Sequence, residues 1–374
     1  MNKKGLLCVL VCAVVLMTSC AKKADEGTSS SAQSVEASKK IVFVVTGQLG
    51  DKSFNDSAHR GVLEVASTMG YEAKVVEVGR EQTKWLPTFE DLADSGDYDV
   101  IITNGSNAGE LITTEVAPNF KNQKFILFDT TIEDGNDNVY AMSYRQNEAS
   151  YLAGVLAAMV TNSDMEFANA EKKIGFIGGS ECPIISDFLV GYIEGAKSVD
   201  PEIVCYVSYI GSWDDPAKGK ETAIAQFNQG VDITFPAAEQ AGLGCVEAAL
   251  DMGKYIIGVD SDQAMLFDET APAKANIILT SVLKQVDYSI VRAFEKNAEG
   301  TLPWGTFESL GLAEGGVGLA VNKYYEANVS DDITSAVAKA KENIDNGSVI
   351  VLSALNDDAS AVQAMVDSVA PENY

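Results

Sequence analysis

The sequence predicts an α/β protein built from two doubly wound lobes. The first observation is that short apolar runs alternate with helical segments from about residue 40 onwards. Continuous apolar runs of this kind are typical of parallel strands covered by helices on both faces. The second observation is that the alternation occurs as two successive series, separated by a long helical segment at 148–160. Two series of strand–helix units predict two lobes, each with its own sheet.

The predicted elements follow directly from these runs. In the first series, the strands are 41–45, 73–78, 99–104 and 124–129, and the helices are 56–69, 86–93 and 110–116. In the second series, the strands are 173–178, 203–210, 232–236 and 255–260, and the helices are 186–198, 217–229 and 242–252. A further strand at 276–284 precedes a helix at 285–299, and the last predicted helix, 332–345, ends at an Asn-Gly pair.

The chain of 374 residues is long enough for two such lobes. In a chain with two lobes, late segments can return to the first lobe. We therefore assign residues 40–143 and about 277–305 to the first lobe, and residues 144–276 and about 306–355 to the second. Residues 356–374 are predicted to be a C-terminal tail.

The N-terminal segment predicts export and attachment to a membrane. Two lysines precede an apolar run at 6–17, which is shorter than the roughly 20 residues that a membrane-spanning helix needs. This pattern is typical of a secretory signal peptide, here residues 1–19. The tetrapeptide that ends at Cys20 resembles a bacterial lipobox, so Cys20 is expected to be acylated. Residues 20–39 have linker composition, and we expect an extracytoplasmic protein held at the cell membrane, on the periplasmic side or at the cell surface.

Composition excludes several function classes. With 54 acidic and 27 basic residues, the formal charge of −27 argues against binding to nucleic acid. The single histidine, His59, argues against histidine-based metal sites and proton shuttles. The three cysteines after the linker, Cys182, Cys205 and Cys245, lack metal-site spacing and are predicted to be buried thiols. Motifs for a nucleophile elbow or a phosphate loop do not occur, so we expect no enzyme, no metal and no cofactor.

Polar and aromatic residues lie where predicted strands end. Asp129 and Asp260 end strands of different lobes, and Phe54 and Trp213 lie beside strand ends of opposite lobes. In open parallel sheets, ligands bind at the carboxyl ends of the strands. Carboxylates accept hydrogen bonds from vicinal hydroxyls, and aromatic rings stack on a base or sugar ring. Each residue alone fits helix capping or core packing equally well, but together they favour a cleft for a sugar or a nucleoside.

Several longer motifs then indicate a family. These are DKSFN (51–55), EASYLAGVLAA (148–158), GGSECPIISDFLVGYIEGAK (178–197), YIGSWDDPAKGKE (209–221) and IGVDSDQ…ILTSVLK (257–284). Together they resemble the basic-membrane-protein family, substrate-binding lipoproteins of ABC transporters that include the purine nucleoside receptor type. The resemblance covers about residues 40–355. It implies a type I periplasmic-binding-protein fold with two αβα lobes, three crossover strands and a ligand between the lobes.

The resemblance also implies which residues contact the ligand. They are Ser53, Phe54, Asn55, Asp129, Phe188, Trp213, Asp260 and Lys284. Phe54 and Trp213 are expected to stack on the base from opposite lobes. Ser53 and Asn55 are expected to hydrogen-bond the base or ribose, and Asp260 to accept the ribose hydroxyls.

Three positions depart from the family pattern. Gly47 stands where nucleoside-binding members carry an aspartate, and Gly105-Ser106 replaces a Gly-Phe pair. Glu239-Gln240 replaces a glycine pair, which adds a carboxylate near the cleft. Glu239 is therefore a further candidate ligand-binding residue, which either substitutes for the missing aspartate or admits a different ligand.

The sequence thus favours a monomeric, lipid-anchored binding protein that delivers a nucleoside, most plausibly a purine nucleoside, to an ABC permease. An acidic cleft is expected to admit nucleosides and to repel nucleotides. Two alternatives stay open: a surface lipoprotein of the same fold used for sensing or adhesion, and a different small polar ligand such as a sugar.

Overall fold

The computed structural model describes residues 39–132, 136–169 and 171–369. The predicted signal peptide, Cys20 and nearly all of the predicted linker lie outside these residues. The strands are β1 (Lys40–Val45), β2 (Glu72–Glu77), β3 (Val100–Asn104), β4 (Lys124–Phe128), β5 (Val139–Tyr144), β6 (Lys173–Gly178), β7 (Val204–Tyr209), β8 (Ile233–Ala237), β9 (Tyr255–Asp260), β10 (Ile278–Lys284), β11 (Phe307–Leu310) and β12 (Val317–Leu319).

Helices follow most of these strands along the chain. They are α1 (Phe54–Met69), α2 (Trp85–Ser95), α3 (Ser106–Leu111), α4 (Gln146–Thr161), α5 (Pro183–Val199), α6 (Pro216–Asn228), α7 (Glu239–Met252), α8 (Gln263–Phe267), α9 (Pro272–Ile277), α10 (Val286–Ala298), α11 (Lys323–Asn328), α12 (Asp331–Asp345) and α13 (Ala359–Asp367). A 3₁₀ turn (Gln82–Lys84) precedes α2, and a π-helical turn (Ile112–Val116) extends α3. Within the described part of the chain, no helix is both long and apolar enough to span a bilayer.

Two six-stranded sheets organise the described residues, which confirms the predicted α/β class. The first has the order β11-β5-β4-β3-β1-β2 and is parallel throughout. The second has the order β12-β10-β9-β8-β6-β7, in which only β12 runs antiparallel to its neighbour. The interior strands are almost wholly buried, as expected for sheets covered on both faces. We call each sheet with its packed helices the first lobe and the second lobe.

The chain crosses between the lobes three times, but two late strands differ from the predicted assignment. The strand at 278–284 was assigned to the first lobe, yet it pairs in parallel with β9 in the second sheet. Conversely, β11 was assigned to the second lobe, yet it pairs in parallel with β5 in the first sheet. The crossings therefore lie after β5, after β10 and after β11. Helix α10 packs on α1, as its predicted place in the first lobe requires.

Two strands of the first sheet are absent from the predicted elements. The segment that forms β5, VYAMSY, lies just before the long predicted helix and is fully buried. The segment that forms β11, FESL, is mostly exposed or half-buried at the sheet edge. Ser143 interrupts the first segment, and Glu308 and Ser309 interrupt the second, so neither is the continuous apolar run that predicts a buried strand.

Glycines allow the long helices α4 and α5 of the second lobe to pack with their backbones in close contact. A Cβ on Gly195 would lie 2.0 Å from the carbonyl oxygen of Tyr151, and one on Gly154 would lie 2.0 Å from that of Tyr192. Real Cβ atoms do not approach a carbonyl so closely, so a side chain at either position would force the helices apart. This packing fixes α5, whose first turns contribute to the cleft described below.

We expect Gly195→Ala to destabilise the protein by about 3 kcal/mol through overpacking. Thermal unfolding followed by circular dichroism checks this prediction. Gly318→Ala is the matched control, because a Cβ on Gly318 meets no atom within 4 Å. Its midpoint should match that of the wild type. Equal midpoints for all three proteins would contradict the inferred backbone contact.

Candidate ligand-binding cleft

A cavity of about 470 Å³ lies between the two lobes, at the carboxyl ends of both sheets. The strand-end rule predicted this location. Seven of the nine candidate binding residues line the cavity: Phe54, Asp129, Phe188, Trp213, Glu239, Asp260 and Lys284. The cavity therefore brings together residues that are far apart in sequence and that come from both lobes.

The other two candidates, Ser53 and Asn55, lie just behind the cavity wall. Both are fully buried, and neither is among the residues that line the cavity. The Ser53 hydroxyl donates to Asp260 Oδ2 at 2.5 Å, and Asn55 Nδ2 donates to Glu239 Oε2 at 3.1 Å. Because the two carboxylates belong to the second lobe, these hydrogen bonds join the lobes at the cleft.

A buried carboxylate holds this part of the first lobe in place. Asp51 is 1% exposed, and it accepts hydrogen bonds from the backbone N–H groups of Ser53, Asn55 and Asp56 at 2.8–3.1 Å. It also accepts from Asn55 Nδ2 at 3.0 Å. Asp51 thus satisfies free donors at the start of α1, which fixes the direction of the Ser53 and Asn55 side chains. The motif was recognised in the sequence, but this role of Asp51 was not.

Lys284 lies at the centre of the cleft as a buried cation. Its side chain is only 2% exposed, and Nζ is 2.7 Å from Asp129 Oδ1 across the lobe boundary. The ammonium also lies 5.1–5.5 Å from the ring centroids of Phe54, Tyr144 and Phe188. The carboxylate and the aromatic faces together stabilise a charge that burial alone would disfavour.

A second cross-lobe ion pair lies elsewhere in the cavity lining. Arg80 follows β2 in the first lobe, and its Nη2 is 2.6 Å from Glu239 Oε2 in the second lobe. Its guanidinium also lies 5.5 Å from the ring centroid of Trp213. Trp213 packs on Gly179, where a Cβ would lie 2.4 Å from the indole ring. The glycine therefore leaves space for the indole in the cavity wall.

Burial shifts the titration of two cleft carboxylates. It raises the pKa of Glu239 to about 7, although the Arg80 charge opposes the shift, and Asp51 and Asp260 reinforce it. Burial likewise raises the pKa of Asp260 to about 6, opposed by the Lys284 charge and the Ser53 hydrogen bond. Both groups therefore titrate near neutral pH, which is typical of functional sites.

The backbone at three cleft carboxylates is left-handed. The φ angles are +59° at Asp129, +46° at Glu239 and +60° at Asp260. Such angles cost roughly 1–2 kcal/mol for residues other than glycine. The glycine expected from the family pattern at position 239 would adopt this conformation freely, but it would lack the carboxylate. At position 239 the strained backbone therefore carries a carboxylate that accepts hydrogen bonds from both Arg80 and Asn55.

Several lining residues were missed from the sequence. Arg80, Asn104 and Ser180 lie at or within three residues of strand ends, so the strand-end rule could have identified them. Two others, Cys182 and Leu355, carry no such signal. Cys205 and Cys245 are buried free thiols, as predicted, whereas Cys182 is half-buried at the cavity.

The two-lobed fold with a cleft between the lobes is shared with solved solute-binding proteins. A solved solute-binding protein of an ABC transporter system from Aeropyrum pernix K1 has the same fold, with a TM-score of 0.79 and 24% identity over 88% of this chain and 97% of that one. A second, from Conexibacter woesei, has a TM-score of 0.65 and 21% identity over 84% of this chain and 99% of that one.

The particular family follows from sequence comparison. The model of the Bmp family, described as ABC transporter substrate-binding protein PnrA-like, matches residues 38–354. The nucleoside-binding protein BmpA of a Lactococcus lactis ABC transporter is 30% identical over 92% of this chain and 96% of its own length. Basic membrane protein A of Borreliella burgdorferi is 30% identical over 94% of this chain and 96% of its own length. The chain belongs to the Bmp family of ABC transporter substrate-binding proteins, which implies a small-molecule ligand and a permease partner.

The raised pKa of Glu239 predicts a pH-dependent stability. Its value of about 7 exceeds the usual 4.5, so between these pH values the folded state retains a proton that the unfolded state releases. The free energy of unfolding contributed by this group therefore falls as pH rises from about 4.5 to 7. We expect the thermal midpoint of the wild type to drop by a few degrees across this range. In Glu239→Gln the drop should be smaller, and the remainder reflects the other carboxyls whose pKa burial raises to about 6, which include Asp187, Asp232 and Asp260. Identical pH profiles for the two proteins would contradict the assignment.

Proposed function

We propose that this protein captures a nucleoside, preferentially a purine nucleoside, in the cleft and delivers it to an ABC permease by opening and closing its lobes. It acts as a monomer anchored to the membrane through acylated Cys20. The observation that supports the ligand class best is the joint lining of one cavity by aromatic rings and by carboxylates from both lobes.

The two kinds of side chain suit the two parts of a nucleoside. Trp213 provides an aromatic surface for a base, and Phe54, 7% exposed, lines the first-lobe side of the same cavity. Asp260 supplies a carboxylate suited to ribose hydroxyls. In this proposal Ser53 and Asn55 act indirectly, because they hold Asp260 and Glu239 in place from behind the wall. The relative from Lactococcus lactis is named for nucleoside binding, which agrees with this chemistry.

The charges of the cleft favour a neutral ligand over a phosphorylated one. Three carboxylates and two cations line the cavity, and each cation is paired, Lys284 with Asp129 and Arg80 with Glu239. A phosphate group would have to break one of these pairs and would then face Asp260. Like charges brought together in this way cost several kcal/mol.

Calorimetric titration tests the ligand class. We expect inosine and guanosine to bind, and their 5′-monophosphates to bind at least roughly 100-fold more weakly because of the carboxylates. Pyrimidine nucleosides, free bases and simple sugars complete the panel. Binding of a sugar but of no nucleoside would overturn the proposal, as would equal affinity for nucleoside and monophosphate.

Variants within the same titration test the site. Loss of stacking in Trp213→Ala should weaken nucleoside binding by about 1–3 kcal/mol, or roughly 5- to 150-fold. Trp304→Ala is the matched control, since Trp304 contacts Lys124 and is not among the lining residues. Its affinity should remain that of the wild type. Unchanged affinity in both variants would contradict the assignment of Trp213.

Replacement of Cys20 tests the anchor independently of the ligand. We expect Cys20→Ser to move the exported protein from the membrane fraction to the soluble fraction and to abolish incorporation of a labelled fatty acid. Cys182→Ser serves as the control for the loss of a cysteine, because this thiol lies at the cleft and not in the N-terminal segment that is expected to carry the lipid. Retention of the label by Cys20→Ser would exclude this cysteine as the acylation site.

A further inference from the structure

A segment near the C-terminus reaches the cleft although it follows the last element of the second sheet. We call residues 349–358, between α12 and α13, the C-terminal strap. Of these residues, Leu355 lines the cavity. It lies one position beyond the end of the family match, at residue 354. The predicted lobe boundary at 355 and the predicted tail from 356 gave this segment no role in binding.

Buried hydrogen bonds hold the strap in one place. Asp187 is 0% exposed, and its Oδ1 accepts from the Ser353 hydroxyl and from the Ala354 backbone N–H, both at 2.8 Å. Its Oδ2 accepts from Gln146 Nε2 at 2.6 Å. Because Asp187 is itself fixed in this way, it provides a rigid anchor immediately before Leu355.

Further contacts fix the strap on both sides of this anchor. Asn147 Nδ2 lies 3.1 and 3.2 Å from the carbonyl oxygens of Val351 and Leu352, and Glu194 accepts from the Leu352 N–H at 2.8 Å. On the other side, Asp357 accepts from the Ser353 N–H at 2.8 Å. The backbone around Leu355 is therefore tied to α4 and α5.

On this fixed backbone the Leu355 side chain is 39% exposed. It shares the cavity lining with Pro183, Ile184 and Ile185 at the start of α5. Together these side chains form an apolar wall on the second lobe. The same helix carries Asp187, so one element supplies both the wall and the anchor of the strap.

We propose that Leu355 contacts the bound ligand and that Asp187, acting through Ser353, is the positioning residue that holds it there. The apolar wall fits the flat face of a base better than it fits the hydroxyl groups of a ribose. The contact therefore falls on the base of a nucleoside. This inference rests on the proposed function, because it assigns a further contact to the same cleft.

Substitutions at Leu355 test the contact by calorimetry with inosine. Leu355→Ala should raise Kd by about 5- to 20-fold, because apolar area on the ligand stays exposed to water. Leu355→Met, similar in volume, should restore affinity to within about twofold. The control Ile350→Ala removes a strap residue that is 87% exposed and not part of the lining, and should leave Kd unchanged. Equal Kd values for wild type and Leu355→Ala would overturn the proposal.

A double-mutant cycle tests the positioning role. Ser353→Ala removes one of the two hydrogen bonds that join the strap to Asp187 and keeps the carboxylate and its bond from the Ala354 N–H. It should raise Kd about three- to fivefold in the wild-type background but have little effect in Leu355→Ala, because there is then no leucine to position. A purely structural role would give the same fold-change in both backgrounds and would contradict the inference.

If the wild type binds no nucleoside, the proposed function fails and this inference fails with it. If the wild type binds but the strap variants behave like it, only the inference fails.

Discussion

The start of helix α1 is the point on which the cleft depends. Asp51 caps this helix and thereby directs Ser53 and Asn55 towards the second lobe. There they donate to Asp260 and Glu239, two of the three carboxylates in the cavity lining. These hydrogen bonds both join the lobes and set the positions of two carboxylates in the cavity lining. We therefore expect a change at this helix start to alter both the contact between the lobes and the cavity lining.

The cleft is assembled from groups that are individually unfavourable. It contains a buried lysine, two carboxylates whose burial raises their pKa, and three carboxylate residues with left-handed backbone. Each is stabilised by a partner from the other lobe, as Lys284 is by Asp129 and Glu239 is by Arg80. Separation of the lobes would leave these groups to be solvated by water instead. The polar interactions between the lobes thus stabilise the arrangement in which the lobes are in contact and these charged groups are paired.

Much of this arrangement could be predicted from local sequence patterns. Apolar runs gave the buried strands, and the strand-end rule together with the family motifs placed Asp129, Trp213, Asp260 and Lys284 at one cavity. Strands β5 and β11 are not predicted because polar residues interrupt their apolar runs. The lobe assignment of β10 and β11 depends on strand pairing, which composition does not encode. The contact of Arg80 with Glu239 and the docking of the strap on Asp187 join residues more than 150 positions apart. No periodicity encodes such pairs, so only the structure could reveal them.

In the proposed function, the cleft holds a neutral nucleoside between carboxylates whose neighbouring cations are already paired. Mass spectrometry of the small molecules released when the purified protein is denatured tests this most directly. We expect the mass of an unphosphorylated nucleoside, released in an amount close to that of the protein. Stoichiometric release of a sugar or a phosphorylated compound would contradict it.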